Sequence, residues 1–315
     1  MEGLLDKRLL FVTGKGGVGK STVAAALGLV AARHGLRTIV AEIAGQDRLA
    51  RAIAGDGGGG FAETRLADDL YAISIDPQQA LNEYLRLQMP ARPMADLLTS
   101  SRMFQYFAAA TPGMRELLTI GKVWELAQLE RRTRGAAPYD LAIVDAPATG
   151  HGLGVLNTPG TFADVARVGP IARQARTIDK TLRDPRFTGV VAVTHAEEMP
   201  VAETLTLNGL LQSELGIEPA AVIVNAVHPD RFSDRQARSI AKALREASSQ
   251  RARAALHAAL SQHSRARIQA EQLERLRAGI DGEPVVLPFV FASNGERAVF
   301  EQLADALDDR VRLAA

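Results

Sequence analysis

The chain has 315 residues, of which 47% are hydrophobic and 23% charged, and its formal net charge is +1. Such a composition can build a full hydrophobic core, and the near-neutral charge gives no bulk attraction to nucleic acid or anionic membranes, so no nucleic-acid partner is expected. The sequence contains no cysteine, which excludes disulfides, thiolate zinc sites and cysteine-ligated iron–sulfur clusters.

Apolar runs alternate with helical stretches along the chain, as in a mostly parallel sheet flanked by crossover helices. This pattern predicts an α/β fold with strands near residues 7–13, 37–43, 70–75, 139–145, 188–194, 219–226 and 284–290. Long helical tracts are predicted at about 77–134 and 233–278. We expect one domain over residues 1–315, in which the first tract is a helical insertion.

The longest apolar run, residues 23–32, is too short to cross a bilayer. The N-terminus also lacks the features of a signal peptide. We therefore expect a cytoplasmic protein.

The first predicted strand is followed by the sequence GKGGVGKS at residues 14–21, which fits the phosphate-loop pattern G-x-x-x-x-G-K-[ST]. Backbone N–H groups of such a loop converge on phosphate oxygens, Lys20 can reach the β- and γ-phosphates, and the Ser21 hydroxyl can ligate Mg²⁺. Residues 21–34 read as the helix whose N-terminus adds to the site. The predicted cofactors are ATP and Mg²⁺, and the predicted loop contacts are Gly14, Lys15, Gly16, Gly17, Val18, Gly19, Lys20, Ser21 and Thr22.

Lys15 is not needed in an ordinary phosphate loop. With this lysine the segment is similar to the deviant Walker A form of dimeric P-loop NTPases, which includes chromosome-partitioning ATPases, nitrogenase iron protein, and the arsenite-pump and tail-anchored-protein-targeting ATPases. In that class the extra lysine contacts phosphate across the dimer interface. The resemblance implies that Lys15 acts in trans, in a homodimer or in a pair with a paralogous subunit.

Asp145 ends the predicted strand of residues 139–145, at the sheet edge where the phosphate loop also lies. A carboxylate there can hold the Mg²⁺ water shell together with Ser21, although an aspartate that only caps the following turn is the alternative. The D-x-x-x-T-G-H segment resembles the second switch of the arsenite-pump and tail-anchored-protein-targeting ATPase family. Its matching residues are Asp145, Thr149, Gly150 and His151.

Further segments extend this resemblance. Asn225 matches the asparagine with which the family recognises adenine, and an asparagine in a turn is the alternative. Residues 287–294 match the segment whose backbone packs against adenine. Asp76 and Pro77 match the entry into the helical subdomain, as N-cap and first helical residue.

One position departs from the family. The first switch usually carries a water-positioning aspartate, and Ala44 stands at that position here. Glu42 and Asp47 are the nearest carboxylates, and Glu42 is preferred because it ends a strand at the phosphate edge. The predicted catalytic residues are therefore Lys15, Lys20, Glu42 and Asp145, and the predicted metal ligands are Ser21 and Asp145.

Methionine and aromatic side chains are frequent between residues 84 and 124. Methionine-rich surfaces adapt to varied apolar partners, and the family's targeting branch uses this region to bind a transmembrane helix. Packing of these side chains against the sheet is the simpler alternative. The absence of cysteine removes the nitrogenase-like branch, a thiol-based arsenite site and the intersubunit zinc clasp of some relatives.

These features predict a Mg²⁺-dependent ATPase whose subunits open and close with nucleotide, and which handles a hydrophobic client helix or drives a membrane anion transporter. A nucleotide-dependent scaffold with little hydrolysis is a second hypothesis, favoured by the missing switch aspartate. A chromosome- or membrane-positioning ATPase is a third, although residues 296–315 do not form a basic amphipathic helix.

Overall fold

A computed structural model of the chain describes residues 3–43, 48–54, 60–88, 111–133, 135–166, 169–291, 295–308 and 310–311. All seven predicted strands are present, and an additional short strand lies at one edge of the sheet. The strands are β1 (Leu9–Thr13), β2 (Thr38–Glu42), β3 (Thr64–Ala67), β4 (Leu70–Ser74), β5 (Leu141–Asp145), β6 (Thr188–His195), β7 (Ala221–Val227) and β8 (Val285–Pro288).

The eight strands form one sheet in the order β3-β4-β2-β5-β1-β6-β7-β8. All neighbouring pairs are parallel except β3 and β4, which are antiparallel. β1 lies in the middle of the sheet. Strands β2 to β5 lie on one side of it, and β6 to β8 lie on the other. In parallel sheets of this kind ligands bind beyond the carboxyl ends of the strands, at the point where the strand order reverses. The end of β1 is therefore the expected position of the site.

Helices cover both faces of the sheet. Along the described residues they are α1 (Lys20–Arg33), α2 (Arg48–Ala54), α3 (Pro77–Gln88), α4 (Met114–Leu126), α5 (Thr149–Ala166), α6 (Pro170–Leu182), α7 (Glu198–Leu210), α8 (Asp234–Glu246), α9 (Gln250–Arg277) and α10 (Glu296–Asp308). A short π-helical turn, Leu211–Leu215, follows α7 directly.

The alternation of side chains along β1 divides the core into two layers. Leu9 and Phe11 face the layer that contains α4, α5, α6 and α7, whereas Leu10 and Val12 face the layer that contains α1 and α10. All five residues of β1 are buried, which explains why its first four residues form a continuous apolar run and not an alternating pattern. The strand that carries the phosphate loop is thus held by apolar packing on both sides.

The predicted insertion at 77–134 contains α3 and α4, and its residues 89–110 and 134 lie outside the described part of the chain. Helix α3 begins at Pro77, and the Asp76 carboxylate accepts a hydrogen bond of 2.8 Å from the Gln79 N–H, which confirms the predicted cap. The tract predicted at 233–278 is two helices, α8 and α9. Gly150, which belongs to the segment that resembles the second switch, lies in the first turn of α5.

Candidate active site

The phosphate loop connects the end of β1 to the beginning of α1, as the sequence predicts. Two of its glycines are required by close contacts. A Cβ atom at Gly14 would lie 2.0 Å from the Val193 carbonyl oxygen of β6, and one at Gly19 would lie 2.3 Å from the Asn225 amide nitrogen. Both glycines also have positive φ angles, 148° and 89°. The loop backbone can therefore adopt this conformation only because neither position carries a side chain.

Lys20, the first residue of α1, turns back over the loop. Its Nζ donates a hydrogen bond of 3.1 Å to the carbonyl oxygen of Lys15. Burial lowers the pKa of Lys20, and the nearby Asp145 carboxylate opposes that shift. The ammonium group is thus held at the loop, where its positive charge would face a phosphate group bound by the loop N–H groups.

Ser21 and Asp145 meet at the ends of adjacent strands. β1 and β5 pair in parallel with Val12 opposite Asp145, which brings the end of β5 beside the first turn of α1. The Ser21 hydroxyl donates a hydrogen bond of 2.5 Å to Oδ2 of Asp145. A hydroxyl and a carboxylate in contact supply the oxygen ligands that Mg²⁺ prefers.

Glu42 lies beside Asp145, because β2 and β5 pair with these two residues opposite each other. Its side chain is buried, and Oε1 accepts a hydrogen bond of 3.4 Å from the Leu49 N–H. A cavity of about 230 Å³ joins the ends of β2 and β5 to the first turn of α1. Its lining includes Ser21, Thr22, Glu42, Asp145 and Glu296.

Asn225 lies at the loop but is already engaged by protein atoms. Its Nδ2 donates 3.0 Å to the carbonyl oxygen of Val18, and its Oδ1 accepts 2.9 Å from the Ala226 N–H. An asparagine amide has two N–H donors and an oxygen with two lone pairs, so these bonds use half of its capacity. Adenine recognition by Asn225 stays a prediction, and the observed contacts give this side chain a role in holding the phosphate loop.

Three aromatic rings form a group just beyond the ends of β7, the strand that contains Asn225, and β8. The His228 ring stacks on Phe289 at 4.5 Å between centroids, and Phe289 meets Phe291 edge to face at 4.9 Å. Phe291 is 69% exposed, and burial lowers the pKa of His228. The sequence interpretation considered only the backbone of residues 287–294 and missed this group. Paired aromatic residues directly after a strand were the signal, and residues 292–294 lie outside the described part.

Lys15 forms an ion pair with Glu203 of α7. The sequence provided no signal for this contact, because the two residues are 188 positions apart. Val18 is buried and Gly17 has a positive φ of 86°, whereas a Cβ atom at Gly16 would meet nothing within 4 Å.

Several predicted switch residues lie outside the part of the chain that the structure describes. Ala44 and Asp47 lie outside the described residues, and the side chains of Thr149 and His151 are also outside the description. The preference for Glu42 over Asp47 therefore stays a prediction.

A family model described as Anion-transporting ATPase matches residues 7–174 and 165–255. The chain belongs to the anion-transporting ATPase family. The relatives agree with this assignment. ATPase BagA of Mycobacterium tuberculosis is 32% identical over 252 residues, which cover 78% of this chain and 72% of that relative. The match also confirms the resemblance inferred from the phosphate loop and the second switch.

Two other relatives are matched over a smaller share of their own length. The arsenical pump-driving ATPase of Acidiphilium multivorum is 26% identical over 253 residues, which cover 75% of this chain and 42% of that relative. ATPase GET3 of Chaetomium globosum is 30% identical over 181 residues, covering 55% of this chain and 50% of the relative. This anion-transporting ATPase family member is therefore an ATP-hydrolysing enzyme at the level of its family, which implies nucleotide binding and typically a metal ion.

The residues of this family member fit both groups that the family implies. The glycine loop leaves no room for side chains at Gly14 and Gly19, and Ser21 and Asp145 provide paired oxygen atoms. Within the described residues, no helix is both long and apolar enough to span a membrane.

Proposed function

We propose that this protein binds ATP together with Mg²⁺ in the loop of residues 14–21 and hydrolyses it there. The observation that carries the proposal is the convergence of Lys20, Ser21, Asp145 and Glu42 at the ends of three adjacent parallel strands. Such convergence puts a cation, a metal-binding oxygen pair and a buried carboxylate beside one glycine loop. Phosphoryl transfer needs chiefly this kind of positioning and charge stabilisation.

Each side chain has a separate task in this proposal. Lys20 and the loop N–H groups bind the β- and γ-phosphates, and Ser21 and Asp145 hold Mg²⁺. When bound, Mg²⁺ would neutralise charge on the phosphate oxygens. The buried Glu42 carboxylate orients the attacking water and accepts its proton, in place of the aspartate that Ala44 replaces. Thr22 lines the same cavity and adds a further polar side chain to it.

Calorimetric titration with Mg²⁺ and a non-hydrolysable ATP analogue tests the loop assignment. Lys20→Ala should abolish measurable binding, because it removes the principal positive charge for the phosphates. Lys7→Ala is the matched control, since Lys7 precedes β1 at the opposite end of the strand and donates to the Pro185 carbonyl oxygen. Wild-type affinity in Lys20→Ala, or an equal loss in Lys7→Ala, would reject the assignment.

Turnover separates the enzyme from the nucleotide-dependent scaffold. The enzyme should release phosphate in an Mg²⁺-dependent way, and Lys20→Ala should abolish that release. A wild-type protein that binds nucleotide tightly but releases no phosphate above the Lys20→Ala background would favour the scaffold.

We further propose that the nucleotide drives closure of two subunits and that the protein handles an apolar helix. A cavity of about 200 Å³ between α3, α4 and α6 supports this second function, and most of its lining is apolar. Leu87, which is 44% exposed, and Leu118 both line it. The family resemblance supports a homodimer or a pair with a paralogous subunit, and coupling to an anion transporter is the alternative work for the same ATP cycle.

A synthetic leucine-rich helix of about 20 residues, the length of a membrane span, is the probe for this function. Leu118→Gln should weaken its binding to the ATP-loaded protein by tenfold or more, since one buried leucine contributes about 1.5–3 kcal/mol. Leu129→Gln is the control, because Leu129 is 68% exposed and does not line the cavity. Equal binding of the helix by both variants, or equal binding with and without ATP, would favour transporter coupling.

A further inference from the structure

The two lysines of the phosphate loop have different partners. Lys20 bonds to the loop itself, through the carbonyl oxygen of Lys15. The Lys15 ammonium instead contacts a carboxylate oxygen of Glu203, which lies in the second turn of α7. The two side chains are 29% and 39% exposed, so the pair is partly shielded from water. Lys15 is thus tied to a different structural element from the rest of the loop.

The fold accounts for this contact. β6 is the parallel neighbour of β1, and its Val193 carbonyl lies against Gly14, so α7, which follows β6, begins next to the loop. Glu203 projects from the same face of α7 as Met199 and Leu210, which are 62% and 37% exposed. These three residues also line a cavity of about 490 Å³. Ala148 and Gly150, just beyond the strand that ends in Asp145, form its other wall.

We propose that Glu203 is a positioning residue that competes with phosphate for the Lys15 ammonium. This inference rests on the proposed function, in which the loop binds ATP. The ion pair stabilises the Lys15 ammonium beside α7, so moving that ammonium towards a phosphate group costs part of the free energy of the pair. Glu203 therefore determines how much of the binding free energy of the nucleotide is used to bring Lys15 to the phosphate group. The same holds whether that phosphate group is bound by the same subunit or by a second copy of the chain.

Glu203→Gln tests the competition, because glutamine keeps the shape and one acceptor oxygen but removes the charge. The variant should bind Mg²⁺ and a non-hydrolysable ATP analogue about 2–5-fold more tightly, which corresponds to about 0.4–1 kcal/mol at 1.4 kcal/mol per tenfold change. That range is the usual strength of a partly exposed ion pair. Raising the salt concentration should reduce the difference between variant and wild type, since salt screens the pair.

Glu198→Gln is the matched control for this experiment. Glu198 lies on the same helix and is exposed, so its substitution removes one negative charge at a similar distance along the chain without touching Lys15. Its affinity should equal that of the wild type. An equal gain in both variants would mean that a general loss of negative charge favours the anion, and it would overturn the proposal.

A double-mutant cycle with Lys15→Ala isolates the pair. Glu203→Gln should have no effect on affinity in the Lys15→Ala background. If Lys15→Ala weakens binding but Glu203→Gln leaves it unchanged or weakens it, the role of Glu203 is overturned while the loop assignment stands. If Lys20→Ala also binds normally, the proposed function itself has failed. Sedimentation at the same concentrations measures self-association. If Lys15 serves a phosphate group across an interface, the gain in nucleotide affinity of Glu203→Gln should depend on self-association. If it serves a phosphate group of the same subunit, the gain should not.

Discussion

Replacement of Glu42 by glutamine is the most informative perturbation of the candidate site. Glu42 ends β2, is 4% exposed, and pairs in register with Asp145, which contacts Ser21. Glutamine has nearly the same volume and keeps the oxygen that accepts from the Leu49 N–H. The substitution therefore removes the negative charge and the basicity of the side chain while leaving its packing in place.

Two magnitudes separate a catalytic carboxylate from a structural one. A general base or water-orienting carboxylate contributes about 10²–10⁴-fold to the rate, which is roughly 2.7–5.5 kcal/mol of activation free energy. The Leu49 hydrogen bond is long, at 3.4 Å, and an ordinary hydrogen bond contributes about 0.5–1.5 kcal/mol, or at most about tenfold. A loss greater than a hundredfold therefore exceeds what this hydrogen bond contributes, and it is the size expected for a carboxylate that takes part in the chemistry.

Phosphate release and analogue binding should be measured on the same preparations. We expect Glu42→Gln to lower turnover by a hundredfold or more with nearly unchanged nucleotide affinity. Glu296→Gln is the matched control, because Glu296 lines the same cavity but is exposed, and it should change turnover less than about threefold. A drop of less than tenfold in Glu42→Gln, or equal drops in both variants, would refute the catalytic role. Asp47→Asn, which we expect to have the smaller effect, would then be the next variant.

Three other predictions concern the contact of Asn225 with the loop, the Ser21 hydroxyl and Glu125, a buried carboxylate of α4. Asn225→Ala should lower the free energy of unfolding by about 1–3 kcal/mol in urea titrations, because it leaves the Val18 carbonyl oxygen without this donor; unchanged stability would contradict the bracing role. Ser21→Ala should raise the Mg²⁺ concentration needed for nucleotide binding several-fold, while equal Mg²⁺ dependence would exclude the hydroxyl as a ligand. Burial alone would raise the pKa of Glu125, but the hydrogen bonds and charges of Arg131 and Lys122 outweigh it and hold that pKa below its ordinary value of 4.5. The ionised group thus stabilises the fold above this pH, and the stability difference between wild type and Glu125→Gln should shrink as the pH falls below it.

The strands and the grouping of Glu42 and Asp145 with the phosphate loop were predictable because both follow from local patterns. The central parallel strands β1, β2, β5 and β6 are largely apolar runs buried on both faces, and parallel strands end at the same edge of the sheet. This reasoning brought Asp145, Glu42 and the phosphate loop together from the sequence alone. The edge strand β3 was missed, since its four residues alternate between exposed and partly buried and form no apolar run.

The other half of the site depends on contacts between distant parts of the chain. The Lys15–Glu203 pair joins residues 188 positions apart, and the bond from Asn225 to Val18 joins residues 207 positions apart. No periodicity or spacing specifies such a pair, because each partner is an ordinary residue in its own segment. Only the order of β1, β6 and β7 in the sheet brings them together.

This division has a consequence for how substitutions should act. On the side of β6 and β7, the loop is held by the contacts of Val18 with Asn225 and of Lys15 with Glu203. Next to Asn225, Ala226 has a positive φ of 58°, which costs about 1–2 kcal/mol in a residue with a side chain. Hydrogen bonds from the Ala226 N–H to Asn225 and from Gln269 to the Ala226 carbonyl oxygen offset that strain. Changes on this side should alter stability and nucleotide affinity together, because they change the shape of the loop. Changes at the ends of β2 and β5 leave those contacts intact and should alter turnover or metal dependence alone, so the two sides can be distinguished by measuring unfolding and turnover on the same variants.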